Sequence, residues 1–187
     1  MPRAGLTPSV VVAQARELAD ETGFSQLTLA AVAQRLGVAL PSLYKHVRGL
    51  DDLQRQIAAL ALRELTDVVT LATAGRSRTT ALRALADAYW NYAHAHPGSY
   101  AATLRAPSFD DQESALAASR LLEVVFAVLE GYAIEGEDAV DATRTLRALM
   151  HGYVALEAAG GFGMARDVRE SFDRAIEAFD ATLSTWR

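Results

Sequence analysis

The chain is expected to fold as an all-α protein of about nine helices. Three observations carry that expectation. Apolar residues make up 51% of the 187 residues, alanine and leucine abound, and five prolines are the only ones to interrupt. Such a composition favours helix. Apolar positions recur at three- and four-residue steps along most of the chain, the helical period, with no strand-like alternation and no internal repeat. Cysteine is absent, which excludes disulfides, thiolate zinc sites and a cysteine nucleophile. No apolar run approaches the ~20 residues needed to span a bilayer. Met1-Pro2-Arg3-Ala4-Gly5 does not read as a signal peptide, so a cytoplasmic protein without a membrane partner is expected.

Thr7-Pro8 opens the first helix, an N-cap followed by proline at the first helical position. The helix runs to Thr22 on a core stripe of Val11, Ala15, Leu18 and Ala19, and Gly23 stops it. Phe24 and Leu27 fill the centre of a three-helix unit. Thr28 caps the second helix, because its hydroxyl accepts a free backbone N–H. Leu29, Val32, Ala33 and Leu36 fall at i, i+3, i+4 and i+7, and Gly37 ends that helix in the left-handed conformation. Val38 plugs the corner. A third helix, about Leu40 to His46, carries Pro41 in its first turn, where a missing N–H does no harm. Leu43 and Val47 point inward. Ser42, Tyr44, Lys45 and His46 are left facing outward. This is a helix-turn-helix with a polar, cationic and aromatic outer face.

Gly49 caps a fourth helix whose first turn holds Asp51 and Asp52, suited to the positive end of the dipole. Leu53, Ile57, Leu60 and Val68 carry it to about Thr73. Gly75-Arg76-Ser77 is the hinge to the next helix, Thr79 to Ala95. His96-Pro97-Gly98 breaks that one, a short helix occupies Gly98 to Arg105, and Ala106-Pro107-Ser108 is a loop. Asp110 or Asp111 caps a helix reaching Tyr132, and Gly131 and Gly136 bracket a turn. A long helix from Glu137 to Ala159 sets Ala139, Ala142, Leu146, Leu149, Met150, Tyr153 and Leu156 on its apolar side. Gly160-Gly161-Phe162-Gly163 ends it. The last helix, Asp167 to Ser184, buries Phe172, Ile176, Phe179 and Leu183.

The run Leu36-Gly37-Val38, then Pro41-Ser42-Leu43-Tyr44-Lys45-His46-Val47, resembles the DNA-binding domain of the tetracycline-repressor (TetR) family over roughly residues 7 to 65. Leu146 to Gly163 resembles the C-terminal domain of one TetR-like group, the WHG type, marked by a His-Gly pair in a late helix. The resemblance implies a DNA-binding domain in residues 1–50 and a helical effector-binding and dimerisation domain in 51–187. It implies that Tyr44, Lys45 and His46 hold phosphates. Thr28 sits at a helix N-terminus, where a phosphate oxygen meets free N–H groups. Ala39, Leu40, Pro41 and Ser42 face base edges, and Leu40 and Pro41 suit a thymine methyl. Two positions depart from the family pattern. Leu50 replaces a lysine at the start of the fourth helix, with Arg48 nearby as a substitute. Ala30 replaces the arginine of the family's namesake.

Net charge is −5, an unusual sign for a DNA-binding protein, but its distribution is uneven. Residues 1–50 hold five Arg/Lys and three Asp/Glu, while 106–187 hold seven and fifteen. The DNA-binding end is therefore the basic one. The four histidines, His46, His94, His96 and His151, lack the spacing of a metal site, and no cofactor is expected. His151-Gly152 reads as helix packing. Glycine within a helix costs about 1 kcal/mol, so a close helix approach is expected there. Tyr89, Trp90, Tyr92, Tyr100, Phe126, Met150 and Tyr153 leave two readings open, plain core or a ligand pocket between helices. No nucleophile–base pair can be placed, so the protein is expected not to be an enzyme. The resulting expectation is a homodimeric repressor on a palindromic double-stranded operator, released by a small, largely apolar effector. The alternative is a helical interaction module with a degenerate helix-turn-helix.

Overall fold

The computed structural model describes residues 6–104 and 111–186. All the regular structure of the described residues is helical: α1 (Pro8–Thr22), a 3-10 turn (Phe24–Gln26), α2 (Leu29–Leu36), α3 (Leu40–Leu43), α4 (Leu50–Thr73), α5 (Arg78–Ala95), α6 (Pro97–Thr103), α7 (Gln112–Glu130), α8 (Gly136–Ala158) and α9 (Val168–Ser184). The chain groups into two compact units, one from Met1–Glu64 with Ala95–Ala118, the other from Leu65–His94 with Ser119–Arg187. Residues 1–50 lie wholly in the first, and α4 contributes to both. No described helix is long and apolar enough to cross a membrane.

In the first unit the local signals act as read. The Thr7 hydroxyl accepts from the Val10 N–H at 3.3 Å, and Pro8 stands in the first turn of α1. Val11, Ala15 and Ala19 are fully buried, while Leu18 is half-buried against the same core. Leu27, Val32, Leu43, Val47, Leu53 and Ile57 complete that core, with Ala102 of α6. The close approach of α6 to α1 was not visible in the sequence. A Cβ on Gly98 would lie 2.0 Å from the Ala19 carbonyl oxygen, so only glycine fits. Beside it, the Asp20 carboxylate accepts from the Ser99 N–H at 2.6 Å and the Ser99 hydroxyl at 3.0 Å. Asp20 thereby caps α6 from α1, satisfying backbone donors that a helix start leaves free.

Along α4 the buried stripe departs from the expected one. Val68 is exposed, whereas Leu53, Ile57, Ala61, Leu65 and Val69 are buried. Ala58, Ala59, Leu62 and Thr66 are buried beside them, so the inward face of α4 is broad, and Val68 lies outside it while Leu60 is half-buried.

The second unit holds α5, α8 and α9. Phe172, Ile176, Phe179 and Leu183 of α9 are buried, and Asp167 caps the helix by accepting from the Glu170 N–H at 3.0 Å. Asp180 accepts from the Thr79 hydroxyl at 2.9 Å and from the Tyr132 phenol. The Arg78 guanidinium sits 5.1 Å from the centre of the Tyr132 ring. Burial, then the bond to Asp180, pushes the Tyr132 phenol above its ordinary pKa. On α8, Ala139, Ala142, Leu146, Met150 and Val154 are buried, but Leu149 is only half-buried and Leu156 is exposed. The expected close approach at Gly152 is absent within the chain: a Cβ there meets nothing within 4 Å. Of the two candidate caps of α7, Asp111 accepts from the Ser114 N–H at 3.0 Å. Asp110, Arg105 and the Ala106-Pro107-Ser108 loop lie outside the described residues.

Candidate nucleic-acid interface

The corner between α2 and α3 is built from short-range bonds. The Thr28 hydroxyl accepts from the Ala31 N–H at 3.1 Å and starts α2. Gly37 ends it at φ 65°, ψ 32°, and its left-handed turn lets the Val38 N–H reach the Ala33 carbonyl at 3.0 Å. This is the double-bonded helix ending that favours glycine. Pro41 stands in the first turn of α3. The helix is shorter than the expected Leu40 to His46, ending at Leu43. Beyond it the chain tightens, with His46 N–H on the Leu43 carbonyl at 2.8 Å and Val47 N–H on the same oxygen at 3.0 Å. Sharing one carbonyl pulls the last turn in and seats Val47 in the core, where it is 2% exposed.

Leu43 and Val47 therefore anchor the segment. Ala39, Leu40, Pro41, Tyr44, Lys45 and Arg48 are exposed, and Ser42 and His46 half-buried. Tyr44 is more open than Leu40 on this surface, at 57% against 37%. The structure thus brings residues 39–42 and 44–46 onto one short outer face.

Charge pairing separates this face from the rest of its unit. Arg16 pairs with Glu64 at 3.0 Å, Arg35 with Glu21 at 2.7 Å, Arg55 with Asp51 and Asp52, and Arg63 with Glu113. Among the described residues, the side chains of Lys45, His46 and Arg48 have no hydrogen-bond or ion-pair partner. Unpaired cations gathered beside an exposed aromatic make a surface ready for phosphate. Arg35, the exposed cation of α2, is tied back to α1, and its bond holds the Glu21 carboxyl below its usual range. Leu50, at the family's lysine position, packs against the core instead. Arg48 next to it is exposed, and Asp52 fixes its backbone by accepting from its N–H at 2.9 Å.

The aromatic set is divided. Tyr100 belongs to the first unit, on α6, and the other six to the second. Tyr89, Trp90, Tyr92 and Met150 are buried, Tyr153 is half-buried and Phe126 is 38% exposed. Trp90 packs on His94 and Phe172, with ring centroids 4.3 and 4.6 Å away. Tyr153 meets the edge of Phe172 and donates to the Ser171 carbonyl at 3.2 Å. His94 lies between the Trp90 carbonyl at 2.8 Å and the Glu157 carboxylate at 2.7 Å, and His96 faces Asp20 at 3.3 Å. Sequence reasoning missed a groove of about 550 Å³ in the second unit, lined by Thr66, Thr70 and Thr73 of α4 and Val124, Ala127 and Val128 of α7. Its signal was three threonines at i, i+4 and i+7.

Comparison with known proteins decides what this surface belongs to. Residues 11–57 match the model of bacterial regulatory proteins of the tetR family, and residues 82–179 match the tetracyclin repressor-like C-terminal domain. The chain belongs to the TetR family. It is 34% identical over 180 residues to the HTH-type transcriptional regulator YobS of Bacillus subtilis, covering 95% of this chain and 93% of that one. It is 39% identical over 161 residues to the HTH-type regulator Rv0681 of Mycobacterium tuberculosis, covering 84% and 72%. Among solved structures, a TetR variant from Acinetobacter baumannii in complex with minocycline shares the fold, with a TM-score of 0.74 at 22% identity over 98% of this chain and 99% of that one. This TetR-family protein is a DNA-binding transcriptional regulator, and its helix-turn-helix falls inside the matched N-terminal segment.

Proposed function

We propose that this regulator is a homodimeric repressor of a palindromic operator, released by a small, largely apolar ligand, and that it acts in the cytoplasm. In this reading residues 1–50 bind DNA, with Tyr44, Lys45, His46, Arg48 and Thr28 on phosphates and residues 39–42 on base edges. Residues 51–187 bind the effector and dimerise. The observation that carries it is that Lys45 and Arg48, unpaired among the described residues, stand beside an exposed Tyr44 and a recognition helix only four residues long. So short a helix reads few base pairs, and two copies related by a two-fold axis supply the missing specificity. The His151-Gly152 pair supports placing the C-terminal half with the WHG-type group. The ligand reading draws on the fold's precedent with minocycline and on the aromatic set of residues 89–153. α4 contributes residues to both units.

In vitro selection of the full chain on random duplexes tests the reading. Enrichment of a two-fold symmetric site, its half-sites about 34–36 Å apart, is the expected result. Enrichment of asymmetric sites, or none, overturns it. For the ligand, coupling of roughly 1–3 kcal/mol would weaken operator binding about 5- to 150-fold, and operator would weaken ligand binding equally. A thermal-shift hit that binds the same with and without operator sinks the release mechanism.

A further inference from the structure

One groove of the first unit, about 500 Å³ in volume, is shared by the proposed phosphate contacts and by the start of α7. Its basic side chains are Lys45, Arg48 and Arg55 and its acidic ones Asp52, Asp111 and Glu113, with Tyr44, His46, Val47 and Gln56 between them. Among the described lining residues, three basic side chains face three acidic ones, so the cations that should attract DNA stand against an equal number of carboxylates. Asp52 has a structural task, accepting from the Arg48 N–H at 2.9 Å and from Gln56 at 3.1 Å. Asp111 and Glu113 have no such task at the helix-turn-helix. Asp111 caps its own helix, and Glu113 pairs with Arg63, which does not line the groove.

We propose that Asp111 and Glu113 are an electrostatic brake on DNA binding, lowering the backbone affinity of the Lys45–Arg48 face. The inference rests on that face meeting phosphates. Duplex DNA carries one negative charge per about 1.7 Å of axis, so each carboxylate beside the contact face repels several phosphates at once. Without the two, three basic side chains of the described lining face Asp52 alone. The repulsion is screened by salt: the Debye length is about 30 Å at 0.01 M and about 8 Å at 0.15 M. The brake therefore acts most strongly at low salt and on sequence-independent binding, which phosphate contacts dominate. Its consequence is that the base contacts of residues 39–42 carry a larger share of the total affinity.

The test uses the full-length protein and a labelled mixed-sequence duplex of about 30 base pairs, with binding read by fluorescence anisotropy at about 0.01 M and 0.15 M salt. The variant is Asp111→Asn, Glu113→Gln, in which asparagine keeps the cap of α7. It is expected to bind about three- to tenfold more tightly than the wild type at low salt, and the advantage shrinks at the higher salt. A control, Glu123→Gln with Glu130→Gln, makes the same charge change on α7 but in the second unit, and should bind as the wild type does. Equal binding by wild type and the Asp111, Glu113 variant overturns the brake while leaving the phosphate face standing. So does an equal gain in the control, which would mark a mere net-charge effect. Failure of every protein to bind at low salt overturns the phosphate face and the brake together. Circular dichroism confirms that each variant keeps its helix.

Discussion

Lys45 and Arg35 carry the same charge and stand close in sequence, yet only Lys45 is free to meet a phosphate. Arg35 bonds to Gln14, Glu17 and Glu21 of α1, and its guanidinium is taken up by those partners. Lys45→Ala should weaken binding to all sequences alike and flatten the salt dependence by about one unit of log–log slope. Arg35→Ala should leave that slope where it is. Tyr44→Ala should also weaken binding without changing sequence preference, whereas changes at Leu40 or Pro41 should change which site is preferred. Wild-type affinity in the Tyr44→Ala, Lys45→Ala double variant would falsify the assignment of this face. Asp20 acts at the same scale but for stability. Its carboxylate serves two donors of Ser99, and Asp20→Ala leaves them unpaired. We expect a loss of about 1–3 kcal/mol in denaturant unfolding, largely recovered in Asp20→Asn.

Two glycines show how a helix's surroundings reverse the effect of one substitution. A methyl group on Gly98 of α6 would overlap the Ala19 carbonyl of α1. The backbone cannot yield as a side chain would, so Gly98→Ala should cost roughly 3 kcal/mol or more. At Gly152 of α8 the same methyl meets open space. Gly152→Ala should stabilise the fold by up to about 1 kcal/mol of helix propensity and so raise the thermal midpoint. If the melting temperature rises but the dimer fraction in sedimentation falls, the open space is filled by a second chain. The turn between α7 and α8 gives a pH prediction. The Tyr132 phenol is raised by burial and by Asp180, so the folded state favours its neutral form. That contribution is complete below the unfolded value of about 10 and is lost as pH climbs past it. Stability should decline above about pH 10, with a shallower decline in Tyr132→Phe. An unchanged alkaline limb in that variant would speak against the phenol as its source.

For the whole molecule, the question is what covers the outer side of α8. Leu156 is 50% exposed, though the periodic pattern set it among core residues. An apolar residue that reads as core but lies open in one chain fits a second copy packed against it, the arrangement proposed above. Leu156→Glu should therefore shift the protein to monomer in sedimentation equilibrium while circular dichroism keeps its helical signal. Retention of the dimer at low concentration would move the interface off this face of α8. Monomerisation should also lower operator affinity, because one four-residue recognition helix is then left to bind alone.

What the sequence by itself determined is everything set within about one helical turn of each residue. Thr7, Thr28 and Asp167 accept from backbone N–H groups three residues ahead, and Gly37 closes α2 through its own left-handed turn. Such bonds depend only on neighbours in the chain, so the caps at Thr7 and Thr28 and the helix-turn-helix were legible, as were the outward Tyr44 and Lys45, whereas His46 is half-buried. The early end of α3 escaped because the buried Val47 draws its last turn tight. Only the tertiary structure decided which partners meet from far along the chain. Asp20 and Ser99 are 79 residues apart, and Thr79 and Asp180 are 101 apart. It also decided that Val69 rather than Val68 faces inward, that Leu156 lies open, and that Asp111 shares a groove with Lys45. Periodicity names a helix face to within about one residue, whereas burial depends on the crossing helix, whose position no local spacing encodes.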